Sequence, residues 1–213
     1  MKQFSYLFTL PLAGLLLLSS CSKDPIKNLS QDDSRIYITN HDSTANFNDY
    51  RTFSVTDSVA VIDNNHLSGK SLDDADAAFI AAVKSAMQER GYTMVAKDQN
   101  PDLGINISRI YNTYSGVVSY PDYWGSYYGY WDPYYWGYPG YSYYFPSYYG
   151  IYQVTEGALS IDMLDLKNAA SNGNKIEGIW NGLIRGSGVF NPDKAAAQVK
   201  ALFDQSMYVK TAQ

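Results

Sequence analysis

Basic residues are missing from the middle of this chain: no Lys or Arg occurs between Arg109 and Lys167. Cysteine occurs once, at Cys21, which rules out an intrachain disulfide framework. The two histidines, His41 and His66, sit in polar, turn-like sequence, with no other His or Cys and no close carboxylate at metal-ligand spacing. Each therefore reads as a surface loop residue, and neither a metal site nor a cofactor is expected. No apolar run reaches the roughly 20 residues that a spanning helix needs. With a formal charge of −5 and no Lys/Arg-rich block, nucleic acid is excluded as an electrostatic partner. The 213 residues suit one domain with a tail.

What is present begins with an address. Residues 1–20 have the layout of a secretory signal: Lys2, then the fifteen mainly apolar residues Phe4 to Leu18. The run ends in Leu18-Ser19-Ser20-Cys21, which looks like a bacterial lipobox. Its chemistry needs Cys21, whose thiol takes the diacylglyceryl group before cleavage leaves it as the acylated N-terminus. Several acyl chains on one Cys make a stable anchor, at roughly 0.8 kcal/mol per buried methylene. The expectation is a membrane-anchored lipoprotein of the cell envelope, with the outer membrane preferred and the face left open. Residues 21–33 are polar and unpatterned and read as a tether; 34–213 read as the folded domain.

Within that domain, alternation marks strands at Arg35–Thr39, near Phe53–Val55, at Val59–Ile62 and at Thr93–Ala96. A half-buried strand is expected from Leu103, with Leu103, Ile105 and Ile107 inward and Gly104, Asn106 and Ser108 outward. Another carries Leu159, Ile161 and Met163 on one face and Ser160 and Asp162 on the other. Asn172-Gly173 is a turn signal, and Ile176–Ile184 is the return strand. Ser71 and Asp74 form a capping-box-like pair opening a helix that Gly91 closes, with Leu72, Ala75, Phe79, Val83, Ala86 and Met87 on one face. Asn191-Pro192 opens a second helix, with Ala195, Val199, Leu202 and Phe203 inward. The expected fold is α+β: an antiparallel sheet with both helices packed on one face.

Between the two halves lies residues 120–152, a Tyr/Gly/Pro-rich insertion. Fourteen of its 33 residues are Tyr; Trp124, Trp131, Trp136 and Phe145 complete the aromatic set. Five Gly and four Pro argue against a continuous helix or strand. Eighteen aromatic side chains carry on the order of 3,000 Å² of surface, well above the apolar patch of an ordinary monomer. Four readings follow: a low-complexity insertion packed over one end of the sheet, an adhesive surface for envelope protein or glycan, docking at the membrane interface, or a substrate lid. The candidate binding residues are Tyr123, Trp124, Tyr127, Tyr128, Trp131, Tyr134, Tyr135, Trp136, Tyr138 and Tyr141. The insertion falls between two strands of a fold that looks complete without it, so deleting it is expected to leave a folded domain.

Catalytic patterns do not assemble. Gly69-Lys70-Ser71 lacks the leading Gly of a phosphate-binding loop, since Asn64 holds that position. Gly186-Ser187-Gly188 lacks the spacing of a nucleophile elbow. Asp162 and Asp165, three apart on one strand, fall on opposite faces. Asp122 and Asp132 lie inside the aromatic tract and suit either sugar hydroxyls or turns. A non-enzymatic interaction module is the leading expectation; an envelope-polymer hydrolase or transferase and a structural subunit of an envelope assembly are the alternatives.

The order and spacing of several landmarks resemble the bacterial lipoprotein family known as domain of unknown function 4136. They are Phe47…Tyr50-Arg51-Thr52-Phe53, Gly91-Tyr92, Pro101-Asp102-Leu103, Gly157 to Asp165, and Trp180-Asn181-Gly182. The likeness covers about residues 34 to 208. It implies a fold and an envelope location, and carries over no activity and no catalytic residues.

Overall fold

The computed structural model describes residues 34–63, 66–111, 117–118, 133–145, 152–153 and 157–212. The strands are β1 (Ile36–His41), β2 (Thr52–Val55), β3 (Val59–Asp63), β4 (His66–Ser71), β5 (Thr93–Met94), β6 (Leu103–Tyr111), β7 (Val117–Val118), β8 (Ser142–Tyr144), β9 (Tyr152–Gln153), β10 (Ala158–Asp165) and β11 (Lys175–Arg185). Two helices accompany them, α1 (Asp74–Glu89) and α2 (Ala195–Asp204).

The class is α+β, and the sheet is mixed rather than purely antiparallel. Its nine strands run β1-β11-β10-β6-β2-β5, with β3 and β4 added beside β6 and β8 beside β11. The centre, β6-β10-β11, is antiparallel. The parallel pairs come from long connections: β2 and β3 both lie parallel to β6, on the far side of α1 in the chain. A parallel pair needs such a crossover, whereas short turns suggest hairpins. Local sequence shows the turns and hides the crossover.

Several element ends differ from the sequence reading. Asp73, not Ser71, caps α1: its carboxylate accepts from Asp76 N while Asp76 accepts from Asp73 N. Leu72 therefore lies outside the helix and is exposed. Ser71 ends β4, and Ser68-Gly69 lies at a bulge within that strand, where Val61 pairs with Gly69 and Ile62 with Leu67. Gly69 has φ 154°, in the glycine-favouring region. His41 closes β1 rather than occupying a loop, with its ring 4.1 Å from that of Tyr208. His66 opens β4. Asn191 caps a 3-10 turn that runs into α2.

Both helices cover one face of the sheet. Phe79, Val83 and Met87 of α1 and Val199, Leu202 and Phe203 of α2 pack with Phe53, Ile105, Ile107, Ile161, Met163 and Trp180. The indole N–H of Trp180 donates to Ser206 Oγ at 2.9 Å, giving the buried ring its polar partner. At the start of α1, Arg109 meets Asp73 and Asp76 at 2.6 Å each and lies over the Phe190 ring. Burial works against its charge, but the two carboxylates more than offset this and raise its pKa.

Candidate functional site

The opposite face of the sheet holds what the sequence leaves unexplained. Gly104, Asn106 and Ser108 of β6 and Ser160, Asp162 and Leu164 of β10 point there, because side chains alternate along a strand. An outward polar face was expected to meet water. Instead Asn106, Ser108 and Ser160 are fully buried, and Asp162 and Asn181 are 1% exposed.

One end of this face is closed by the aromatic segment 133–145. Pro133 to Trp136 form a 3-10 turn, and β8 pairs parallel with the start of β11, Ser142 opposite Lys175. Trp136 is buried against Leu164, Leu166, Ala169 and Ile176. Tyr138 OH donates to Leu166 O at 2.9 Å, and Asp57 N donates to Tyr135 OH at 3.2 Å. Lys97 Nζ stands 4.0 Å from the Tyr135 ring centre, a cation–π distance. Burial raises the pKa of both Tyr135 and Tyr138. The neck of the insertion is a small ribbon, β7 paired antiparallel with β9.

Two glycines make this packing possible. A Cβ at Gly104 would stand 3.0 Å from Trp136 Cε2, and one at Gly178 would overlap the Phe145 ring. Glycine inside a strand marks a close approach of this kind. That signal was present in the sequence; the rings that use it were not identifiable from it.

The candidate binding residues thus divide. Trp136 is buried, Tyr135, Tyr138 and Tyr141 are half-buried and packed against the second core, and Tyr134 is 71% exposed. Tyr123, Trp124, Tyr127, Tyr128 and Trp131 lie outside the described residues, as do Cys21 and the rest of 1–33, where the sequence reading places a signal and a tether. The expectation that the fold is complete without the insertion is corrected. Trp136 and Phe145 fill part of a second core, and deleting them would bare Leu164 and Ile176.

Beside that core runs a buried polar row. Asn181 Nδ2 donates to Asp162 Oδ1 at 2.8 Å and to Ser160 Oγ at 3.0 Å. Asp162 pairs across the sheet with Asn106 and Ser160 with Ser108. Thr56 continues the row on the far side of β6, its N–H bonded to Ile105 O. Asn106 Oδ1 and Nδ2, Ser108 Oγ, Thr56 Oγ1 and Trp136 Nε1 are buried without a protein hydrogen bond. Each such atom costs about 1–3 kcal/mol. Five together rival the whole stability of a domain, about 5–15 kcal/mol, so these atoms call for a polar partner, water or ligand.

Asp165 behaves differently from Asp162. It accepts from Tyr50 OH at 2.9 Å and from Asn168 N and Nδ2 at 3.0 and 2.7 Å, on the helix side of the sheet. The two carboxylates do face apart. Asp165 lines an open cleft of about 340 Å³ with Asp42, Asp49 and Glu177. Among the described residues no three His, Cys, Asp or Glu side chains converge as metal ligands.

Comparison with known proteins places the chain. No curated protein matches it. A solved structure of a DUF4136 family protein from Bacteroides thetaiotaomicron is similar, with 32% identity and a TM-score of 0.70, covering 84% of this chain and 99% of that one. A PelC dodecamer from Paraburkholderia phytofirmans aligns over the same shares at 9% identity and a TM-score of 0.40. The family model for a domain of unknown function, DUF4136, matches residues 38–208, so the chain belongs to the DUF4136 family.

Proposed function

We propose that this protein is a lipid-anchored component of the bacterial cell envelope, acylated at Cys21, that acts without catalysis as an interaction module. Its contact surface is the Tyr-rich insertion, and its partner is an envelope protein or glycan. The observation that carries this reading is the division of labour inside the insertion. Trp136 and Phe145 seat the segment on Gly104 and Gly178, while Tyr134 and Tyr144 remain 71% and 47% exposed. Exposed Tyr on a seated backbone offers aromatic area at low entropic cost, as binding loops do.

The test uses the full-length lipoprotein and a variant that spares the seating rings: Tyr134→Ser and Tyr144→Ser, combined with Trp124→Ser and Trp131→Ser. Both are exposed to solubilised envelope material and to purified peptidoglycan. The variant is expected to keep its melting transition and to lose most retention. Equal retention of the two proteins overturns the reading.

A further inference from the structure

We propose that Asn172 is a self-modification site, whose side-chain amide converts to a carboxylate through attack by the backbone nitrogen of Gly173. The product loosens the turn on which β8 is seated, so the hold on the aromatic segment 133–145 weakens as the protein ages.

The dipeptide Asn-Gly occurs twice in the chain, at Asn172-Gly173 and at Asn181-Gly182. Asparagine is among the thermolabile residues, and a following glycine has no Cβ to hinder attack on its side chain. By that measure the two pairs are equal, and the structure separates them. Asn181 is 1% exposed, and its Nδ2 donates to Asp162 Oδ1, Ser160 Oγ and Ile161 O. Gly182 lies in β11 between β1 and β10, held in a ladder on both sides. Asn172 is exposed in the connection between β10 and β11. No hydrogen bond to a described residue holds its side chain or the N–H of Gly173. Gly173 has φ 66°, and a Cβ there would meet nothing within 4 Å. Nitrogen, amide carbon and solvent water can therefore come together at the first pair and not at the second.

The reaction needs only water. Gly173 N loses its proton to solvent base and bonds to Asn172 Cγ. The Cγ–Nδ2 bond breaks, the nitrogen leaves as ammonia, and a five-membered succinimide closes. Water then opens the ring at either carbonyl. Opening at Cγ leaves aspartate. Opening at the main-chain carbonyl leaves isoaspartate, in which the chain runs through Cβ and Cγ.

The turn that carries Asn172 also carries β8. Asn172 N donates to Asn168 O at 2.9 Å, Lys175 N to Ala169 O at 3.2 Å and Ser142 N to Asn174 O at 3.1 Å. The last bond opens the pairing in which Ser142 lies opposite Lys175. Isoaspartate inserts one carbon into the main chain two residues before Asn174, which moves that carbonyl off Ser142. Either product also brings a new carboxylate to the cleft lined by Asp42, Asp49 and Glu177, where like charges disfavour one another.

The experiment ages the full-length protein in detergent micelles at mildly alkaline pH for weeks, folded and in urea. Digests are read by mass spectrometry with electron-transfer fragmentation, which tells aspartate from isoaspartate. In the folded protein the peptide holding residue 172 is expected to gain one mass unit, mainly as isoaspartate. The peptide holding residue 181 should convert at least tenfold more slowly, and in urea the two should convert at similar rates. Limited proteolysis of the aged protein should cut faster within 133–145 than in Asn172→Gln aged beside it. No conversion at Asn172, or equal conversion at both pairs in the folded protein, overturns the proposal. The same preference persisting in urea also overturns it, because flanking sequence would then set the selectivity. Conversion with unchanged cleavage overturns the link to the aromatic segment.

Discussion

The indole of Trp136 lies against the backbone of Gly104, so close that a Cβ there would stand 3.0 Å from its ring. The contact ties the least regular stretch of the sequence to the most regular strand. Phe145 repeats it on Gly178 of β11. Replacing Gly178 with Ala forces Phe145 out of its seat and is expected to cost about 1–3 kcal/mol, an overpacking value. Trp136→Ala empties a buried site and is expected to cost about 3–5 kcal/mol. Urea melts would measure both, and limited proteolysis would show cleavage moving into 133–145. Unchanged melts would mean that the segment contributes nothing to the core.

Asp73 supplies a pH-dependent part of the stability. The N–H of Asp76, then the Arg109 guanidinium, hold its carboxyl below the usual range. A depressed folded pKa adds stability above the unfolded value, about 3.9, and that stability is lost as pH falls through the folded value. Asp73→Asn retains a capping oxygen without the charge. Its deficit at neutral pH is expected to be about 0.5–1 kcal/mol, since the carboxylate is half exposed. Melts from pH 7 downwards should show the deficit narrowing below about pH 4; a constant gap would exclude the charge as its source.

At alkaline pH the tyrosines of the helix-side core govern. Burial pushes up the phenol of Tyr50, helped by the Asp165 charge, and burial likewise pushes up Tyr92. A raised folded pKa means stability is intact below the unfolded value, about 10, and declines as pH rises beyond it. Tyr50→Phe is expected to lose about 1–2 kcal/mol at pH 7, through the lost bond to Asp165. Above about pH 10 it should fall less steeply than wild type. Parallel alkaline slopes would show that Tyr50 ionises normally.

The anchor is tested apart from the fold. Cys21→Ser removes the thiol that acylation needs, and is expected to shift the protein from the detergent phase to the aqueous phase in phase separation. The melting transition of the domain should not change, because the proposed anchor precedes the first described strand. Full retention in the detergent phase would overturn lipidation at Cys21.

Much of the architecture was readable locally. The centres of β6, β10 and β11 follow from alternation, and α1 and α2 from spacing and end residues. Their faces follow as well: Phe79, Val83 and Met87 recur at helical period and enter the core together. The Asp162–Asp165 separation also told the truth, since period two does not depend on what lies above the strand. Element ends were less legible. Ser71 and Asp73 both make good caps, and only the reciprocal bond with Asp76 chooses between them.

The aromatic insertion marks the boundary between the two kinds of information. Its composition alone determined that a large aromatic surface needs covering or a partner, because that much apolar area does not stay in water unattended. Sequence also determined the class of fold, through periodicities that each helix and strand carries within itself. Only the tertiary structure decided that Trp136 and Phe145 face inward and Tyr134 outward, and that Asn106 and Ser108 are buried rather than wet. Alternation assigns a residue to a face, but whether that face meets water depends on a segment far along the chain. At one end of this face the cover is Trp136 of segment 133–145, which lies against Gly104 of β6 and Leu164 of β10 although it falls between those strands in sequence.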